Sequence, residues 1–175
     1  HVSDRVTRMM GKSNRKVYQA FAERFRKLNE KLGLKQYLVP YFMSSHPGSE
    51  LSDAVELAEF IRDMGYHPQQ VQDFIPTPGT LSTAMWYTGI DPLTGEKVYT
   101  AKSYEEKLMQ RSLMQYWLPK NQEIVRKALR LAHREDLIGF DRKCLVRPEG
   151  SEHRKKDGGG QVPNRKKKRN VNRKK

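Results

Sequence analysis

The chain has 175 residues, a net charge of +14, and 36% hydrophobic against 31% charged residues. That length holds one domain, or a small domain with a tail, and no run approaches the roughly 18 apolar residues of a membrane-spanning helix. No secretory leader pattern opens the sequence, and Cys144 is the only cysteine, which excludes an intramolecular disulfide and fits a reducing, cytoplasmic setting. The first residue is His rather than Met, so the expectation is a piece of a longer protein. Residues 147–175 hold twelve Lys and Arg against three Asp and Glu. The positive charge therefore belongs mainly to that end and says little about the fold.

Taken in order, Ser3 is placed to cap a short helical turn carrying Val6, Met9 and Met10, closed by Gly11. Ser13 or Asn14 then opens a longer helix whose apolar positions, Val17, Phe21, Phe25, Leu28 and Leu32, share one face. That face reads as core, and Gly33 is a natural terminator. Tyr37 to Met43 is an unbroken apolar run, as in a strand buried on both faces. Pro40 breaks a local rule, since proline cannot donate to a ladder; it marks either an edge strand or a bend. The run ends at Ser44-Ser45-His46-Pro47-Gly48.

A second amphipathic helix starts at Ser49 or Ser52 and runs to about Met64, with Leu51, Val55, Ala58 and Ile61 on one side and Gly65 after it. Val71 to Ile75 is a second strand, opening onto Pro76-Thr77-Pro78-Gly79-Thr80. Strand, helix and strand with short connections make a βαβ unit, so the two strands are expected to be parallel. Beyond Thr80 the sequence reads as turn-rich, with short extended pieces such as Lys97 to Thr100. Ser103 and Glu106 have capping-box spacing and open a helix reaching about Trp117. Asn121 caps another, with Ile124, Ala128, Leu131 and Ala132 inward, and Leu137-Ile138-Gly139 closes the folded part. From Arg147 onward the chain is too charged and too poor in apolar residues to offset its ordering entropy, and disorder is expected.

In open α/β folds, chemistry sits on loops leaving the carboxyl ends of parallel strands. Two such loops occur here, at 44–48 and 76–80. These segments, with His1-Val2-Ser3-Asp4, Met10-Gly11-Lys12, Gln36 to Gly48, Val71 to Thr80, Met85 to Gly89 and the stretch from Leu137 to Val146, resemble the C-terminal part of the YgiQ-like radical SAM proteins. The likeness covers roughly residues 1 to 148. Its most specific element is Tyr-Leu-Val-Pro-Tyr-Phe-Met-Ser-Ser-His-Pro-Gly.

The resemblance implies a partial (β/α) barrel: two parallel strands with flanking helices over residues 1–90, followed by a small helical extension over 91–146; the composition makes 147–175 a disordered basic tail. In that family an N-terminal half carries Cys-x-x-x-Cys-x-x-Cys, which holds a [4Fe–4S] cluster that binds S-adenosylmethionine and yields a 5′-deoxyadenosyl radical. Cys144 has no partners at that spacing, so this chain alone is expected to hold no cluster and start no radical chemistry. Its expected partners are the missing half of its own barrel and a substrate that the sequence does not identify. An isolated half-barrel with open edges is expected to be marginally stable or to self-associate.

By the same likeness, His1 lies at one strand end, Ser44, Ser45 and His46 at the next, and Thr77 and Gly79 at the one after. These residues are the candidates for holding the cofactor or substrate. Two plainer readings stand beside this one: Ser44-Ser45-His46 as a helix cap with His46 bonded to backbone, and the Pro-x-Pro-Gly-Thr loop as purely conformational. His67 and His133 have no metal-ligand spacing. Cys144 reads as an inert small apolar residue. The basic tail reads as a solubilising terminus or as a nucleic-acid arm displacing counterions from phosphate. The runner-up function follows from the second option: a non-catalytic RNA-binding module using the tail and the Asn121–His133 helix.

Overall fold

The computed structural model describes residues 1–150. Helix α1 (Asp4–Met9) leads into the long α2 (Arg15–Leu32). Ser3 stands at the N-cap of α1 without a side-chain capping bond. Asn14 does cap α2, its side chain accepting the Val17 N–H at 3.2 Å, and Gly33 ends the helix at φ 64°. The apolar face of α2 departs from expectation. Val17, Phe21, Leu28 and Leu32 are exposed, and Asn29 is the buried residue of the helix. Helical period reveals an apolar face but not what covers it. Here α2 touches its neighbours near its start, through Tyr18 edge-on to Phe60 and Arg15 paired with Glu56.

At the centre lie β1 (Phe42–Ser44) and β2 (Val71–Asp73), joined through α3 (Leu51–Met64). They pair in parallel, with Phe42 opposite Val71, Met43 opposite Gln72 and Ser44 opposite Asp73. The βαβ expectation holds, with shorter strands than the apolar runs suggested. The ladder begins two residues after Pro40, because proline supplies no N–H to it. Tyr37, Val39 and Tyr41 are 82%, 77% and 65% exposed, so the run is not buried on both faces. β2 ends at Asp73, although the Phe74 N–H still reaches Ser44 O at 2.9 Å. α3 is opened by Glu50 rather than a serine: Glu50 and Asp53 exchange bonds in a capping box.

The core forms behind this ladder. Ala54, Val55, Leu57, Ala58 and Ile61 of α3 meet α5 (Tyr104–Met114), which packs in turn on α6 (Gln122–Leu131). One buried cluster joins Val2, Phe42, the α3 residues, Leu113, Met114, Val125, Ala128, Leu129, Leu145 and Val146. The Ser103–Glu106 capping box forms as expected. α5 stops at Met114 rather than Trp117; Trp117 instead stacks on His67 at 4.4 Å between ring centroids. In α6 the inward residues are Val125, Ala128 and Leu129, and Leu131 faces out. Asn121 belongs to a 3₁₀ turn (Pro119–Asn121) and donates its side chain to Gln115 O at 3.0 Å, so it does not cap α6.

Helix α4 (Leu81–Thr88) occupies part of the segment read as turn-rich, and an isolated antiparallel bridge joins Ile90 to Lys97. The folded part continues past Gly139: Ile138 bridges Val146 in parallel. Residues 147–150, expected to be disordered, lie against α6. Arg126 donates to Arg147 O at 3.1 Å, and Arg130 pairs with Glu149 at 3.0 Å. The remainder of the basic tail, 151–175, lies outside the described residues.

Candidate functional site

The register of the two strands sets the site. Ser44 and Asp73 are the last matched pair of the ladder, and the Ser44 hydroxyl donates to Asp73 Oδ1. Arg111, from α5, donates to the other carboxylate oxygen at 3.0 Å. The loops that leave both strands therefore start side by side, with one carboxylate held between a hydroxyl and a guanidinium.

The first loop is bent and pinned. Ser45 adopts the left-handed region at φ 58°, a conformation rare for a residue with a side chain and one that tends to mark functional positions. A buried glutamine holds it there. Gln110 Oε1 accepts the Ser45 N–H and the Ser49 hydroxyl, each at 3.0 Å, and Gln110 Nε2 donates to Ser49 O at 2.8 Å. Ser45 Oγ is buried and has no hydrogen-bond partner. Such an orphan is costly in a native protein and calls for a missing partner. Gly48 completes the bend at φ 86°, a conformation that strains any residue with a side chain, and the flexible end of Met9 lies where its Cβ would be.

His46 joins the two loops. Its Nδ1 lies 2.8 Å from Pro47 O, and since a carbonyl only accepts, Nδ1 carries the proton. Nε2 is then the acceptor for the Ser82 hydroxyl at 2.9 Å, and Ser82 lies in the first turn of α4, just past Thr80. Phe74 meets the ring edge-on at 5.2 Å. Burial pushes the imidazole below its ordinary pKa, partly offset by the bond to Pro47 O. His46 is thus a neutral, oriented base at neutral pH.

The candidate residues separate into two groups. Ser44, Ser45 and His46 are buried together at the ladder end. His1 sits close by, its Nδ1 accepting the N–H groups of Val2 and Ser3 at 3.0 and 3.2 Å and its Nε2 3.5 Å from Ser49 Oγ. Thr77 and Gly79 are exposed. Thr77 O takes the hydroxyls of Thr80 and Thr83 at 3.0 and 2.7 Å, and Gly79, at φ 79°, has open space where its Cβ would be. The capping reading of 44–46 fails in part, since Glu50 opens α3, yet His46 is indeed bonded to backbone.

Asp73, Ser82, Gln110 and Arg111 were not singled out from the sequence. One signal for Gln110 existed. It stands three and four residues before Leu113 and Met114, so it is a polar residue on an apolar helical face. Ser82 and Arg111 carry no comparable mark.

Among the described residues no three His, Cys, Asp or Glu side chains lie close enough to hold a metal ion, and no helix is long and apolar enough to cross a membrane. The cations of α6 are matched by carboxylates: Lys127 pairs with Glu105, Arg130 with Glu149, and Arg126 lies 3.9 Å from the same Glu149. Just beyond the helix, Arg134 pairs with both Glu59 and Asp136 at 2.9 Å.

The family model described as a domain of unknown function (DUF3362) matches residues 69–175. A UPF0313 protein of Clostridium botulinum (strain 657 / Type Ba4) is 57% identical over 146 residues, 83% of this chain and 23% of that protein. One from Clostridium perfringens (strain 13 / Type A) is 57% identical over 151 residues, 86% of this chain and 23% of its own length. One from Methanocella arvoryzae is 53% identical over 148 residues, 85% of this chain and 25% of its own length. The chain thus spans about a quarter of the curated relatives it matches. No solved structure matches it.

Proposed function

The chain belongs to the DUF3362 family, and from that premise we propose that it is the C-terminal, substrate-side portion of a radical SAM enzyme of the YgiQ-like kind. One observation carries the reading. The last register pair, Ser44 and Asp73, sends two polar loops off the same end of a parallel ladder, and His46 and Ser82 tie those loops together. In parallel α/β architecture that end is where ligands are held.

The cluster does not fit this chain. Cys144 is its only cysteine, and its described residues gather no metal-binding set. In this proposal the thiolates come from the other half of the barrel. Two features support such a partner: the exposed apolar stripe of α2, and the exposed Tyr37, Val39 and Tyr41 leading to the edge of β1 that no strand covers among the described residues. Exposed apolar surface of this extent marks an interface.

S-adenosylmethionine fits better. When bound in a radical SAM enzyme it supplies the 5′-deoxyadenosyl radical. Of the serines in the first loop, Ser45 has the side chain left without a bond, and its orphaned hydroxyl is what a polar group of cofactor or substrate satisfies. Ser44 and His46 already have partners in Asp73, Pro47 and Ser82. Their work is to hold the loop, and the neutral His46 keeps Ser82 oriented without adding charge. His1 borders the same loop through Ser49.

The test is anaerobic reconstitution of a full-length protein containing this chain, with 5′-deoxyadenosine as readout. Production of 5′-deoxyadenosine that falls in the Ser45→Ala protein is expected. A reconstituted protein that makes none removes the enzyme reading, and unchanged cleavage in Ser45→Ala removes the role of Ser45.

A further inference from the structure

Among the described residues β2 has a strand on one side only. Because the Phe74 N–H turns toward β1, alternation along the strand turns the backbone groups of Asp73 and Val71 the other way. A trough of about 600 Å³ runs along that free edge, bordered by Gln70, Val71 and Gln72 on the strand side and by Arg111, Gln115 and Lys120 opposite. The last three residues also border a second hollow of about 290 Å³ that reaches Asp73, Tyr104 and Lys107.

The charge on this surface is one-sided. Asp73 is the one carboxylate lining either hollow, and its oxygens are taken by Ser44 and Arg111. Lys120 is exposed and has no ion-pair partner among the described residues. The Lys107 ammonium sits 5.8 Å above the Trp86 ring and likewise meets no carboxylate there. Arg111 and Asp73 neutralise one another, and two cations without a carboxylate partner among the described residues, Lys107 and Lys120, are left beside the strand edge.

We propose that the free edge of β2 binds an extended acidic peptide segment, which adds as a further strand beside Val71–Asp73 while its carboxylates meet Lys107 and Lys120. An open edge supplies main-chain hydrogen bonds to any extended chain. Side chains of an added strand alternate, so every second one points to the α5 side, where the cations stand. Charge complementarity then selects Glu and Asp at those positions and speeds encounter. The proposal uses none of Ser45, His46 or Ser82 and stands apart from the cofactor reading above.

The experiment uses a full-length protein containing this chain and a fluorescein-labelled peptide alternating Glu and Thr. Affinity is read by anisotropy, and site by amide hydrogen exchange at Val71 and Asp73. A second peptide of the same sequence, N-methylated on alternate residues, keeps the charge and loses the edge bonds. Residues 151–175 hold eleven Lys and Arg. Binding to them would not distinguish the two peptides and would leave the β2 amides exchanging freely. The expected result is protection of Val71 and Asp73, affinity about tenfold weaker after N-methylation, and a loss of about tenfold in the Lys107→Glu/Lys120→Glu protein. Equal affinity for both peptides, no protection at β2, or no binding at all overturns the proposal. So does an RNA oligomer that protects those amides where the peptide does not. In the no-binding case the cations serve only to keep strand edges of neighbouring copies apart.

Discussion

Gln110 and Ser45, 65 residues apart in sequence, are joined by a buried 3.0 Å hydrogen bond from the serine N–H to the glutamine side-chain oxygen. With its two bonds to Ser49, this one side chain fixes both ends of the bent loop. Replacing it strands several polar groups at once. Gln110→Leu, close in volume, is expected to lower stability by roughly 2–4 kcal/mol, because an unpaired buried donor or acceptor costs about 1–3 kcal/mol. Urea unfolding measures this. A loss below about 0.5 kcal/mol would show that the loop finds other partners.

The His46 ring gives the fold a pH dependence whose direction is fixed. Burial holds its folded pKa below the ordinary value, so between the two pKa values the unfolded chain binds more protons than the folded one. Stability contributed by neutral His46 is present above the unfolded pKa of about 6.5 and is lost as pH falls from there toward the folded value. Unfolding free energies of the native chain and of His46→Gln, measured between about pH 7.5 and pH 5, are expected to differ in slope. The native chain falls more steeply toward acid. Parallel curves would remove His46 as the titrating group.

Two leucines two residues apart in α6 are predicted to behave oppositely. Leu129 is fully buried, and Leu129→Ala should cost about 2–5 kcal/mol through lost burial and the cavity left behind. Leu131 is 55% exposed, and Leu131→Ala should change stability by no more than about 0.5 kcal/mol. Equal losses at both positions would place the inward face of α6 elsewhere.

The exposed stripe of α2 predicts association of the isolated chain. Phe21→Ser with Leu28→Ser should raise the monomer fraction in sedimentation while altering stability by at most about 1 kcal/mol, because both side chains already face water. A native chain that sediments as a monomer at all concentrations, unaffected by the pair, contradicts this.

Much of the site's frame was legible in the sequence. Two apolar runs flanking one amphipathic segment gave a parallel pair, and the polar stretches after them gave the loops. Pro40 carried the true start of β1, once its missing N–H was allowed to outweigh the apolar run around it. α4 was hidden because it buries only Met85, and a helix with one inward residue has no stripe to read. The α2 stripe was read correctly as a helical face and wrongly as core, since periodicity is blind to what lies opposite. Gln110 and Ser82 act through contacts 61 and 36 residues away in sequence, a link that local pattern does not contain.

α5 is wedged against α3 and α6 on its apolar side and hooked to the first loop through Gln110. It also grips the second strand through Arg111. One helix thus fastens the origins of both loops, the bend at Ser45 through Gln110 and the end of β2 through Arg111, to the C-terminal half of the core.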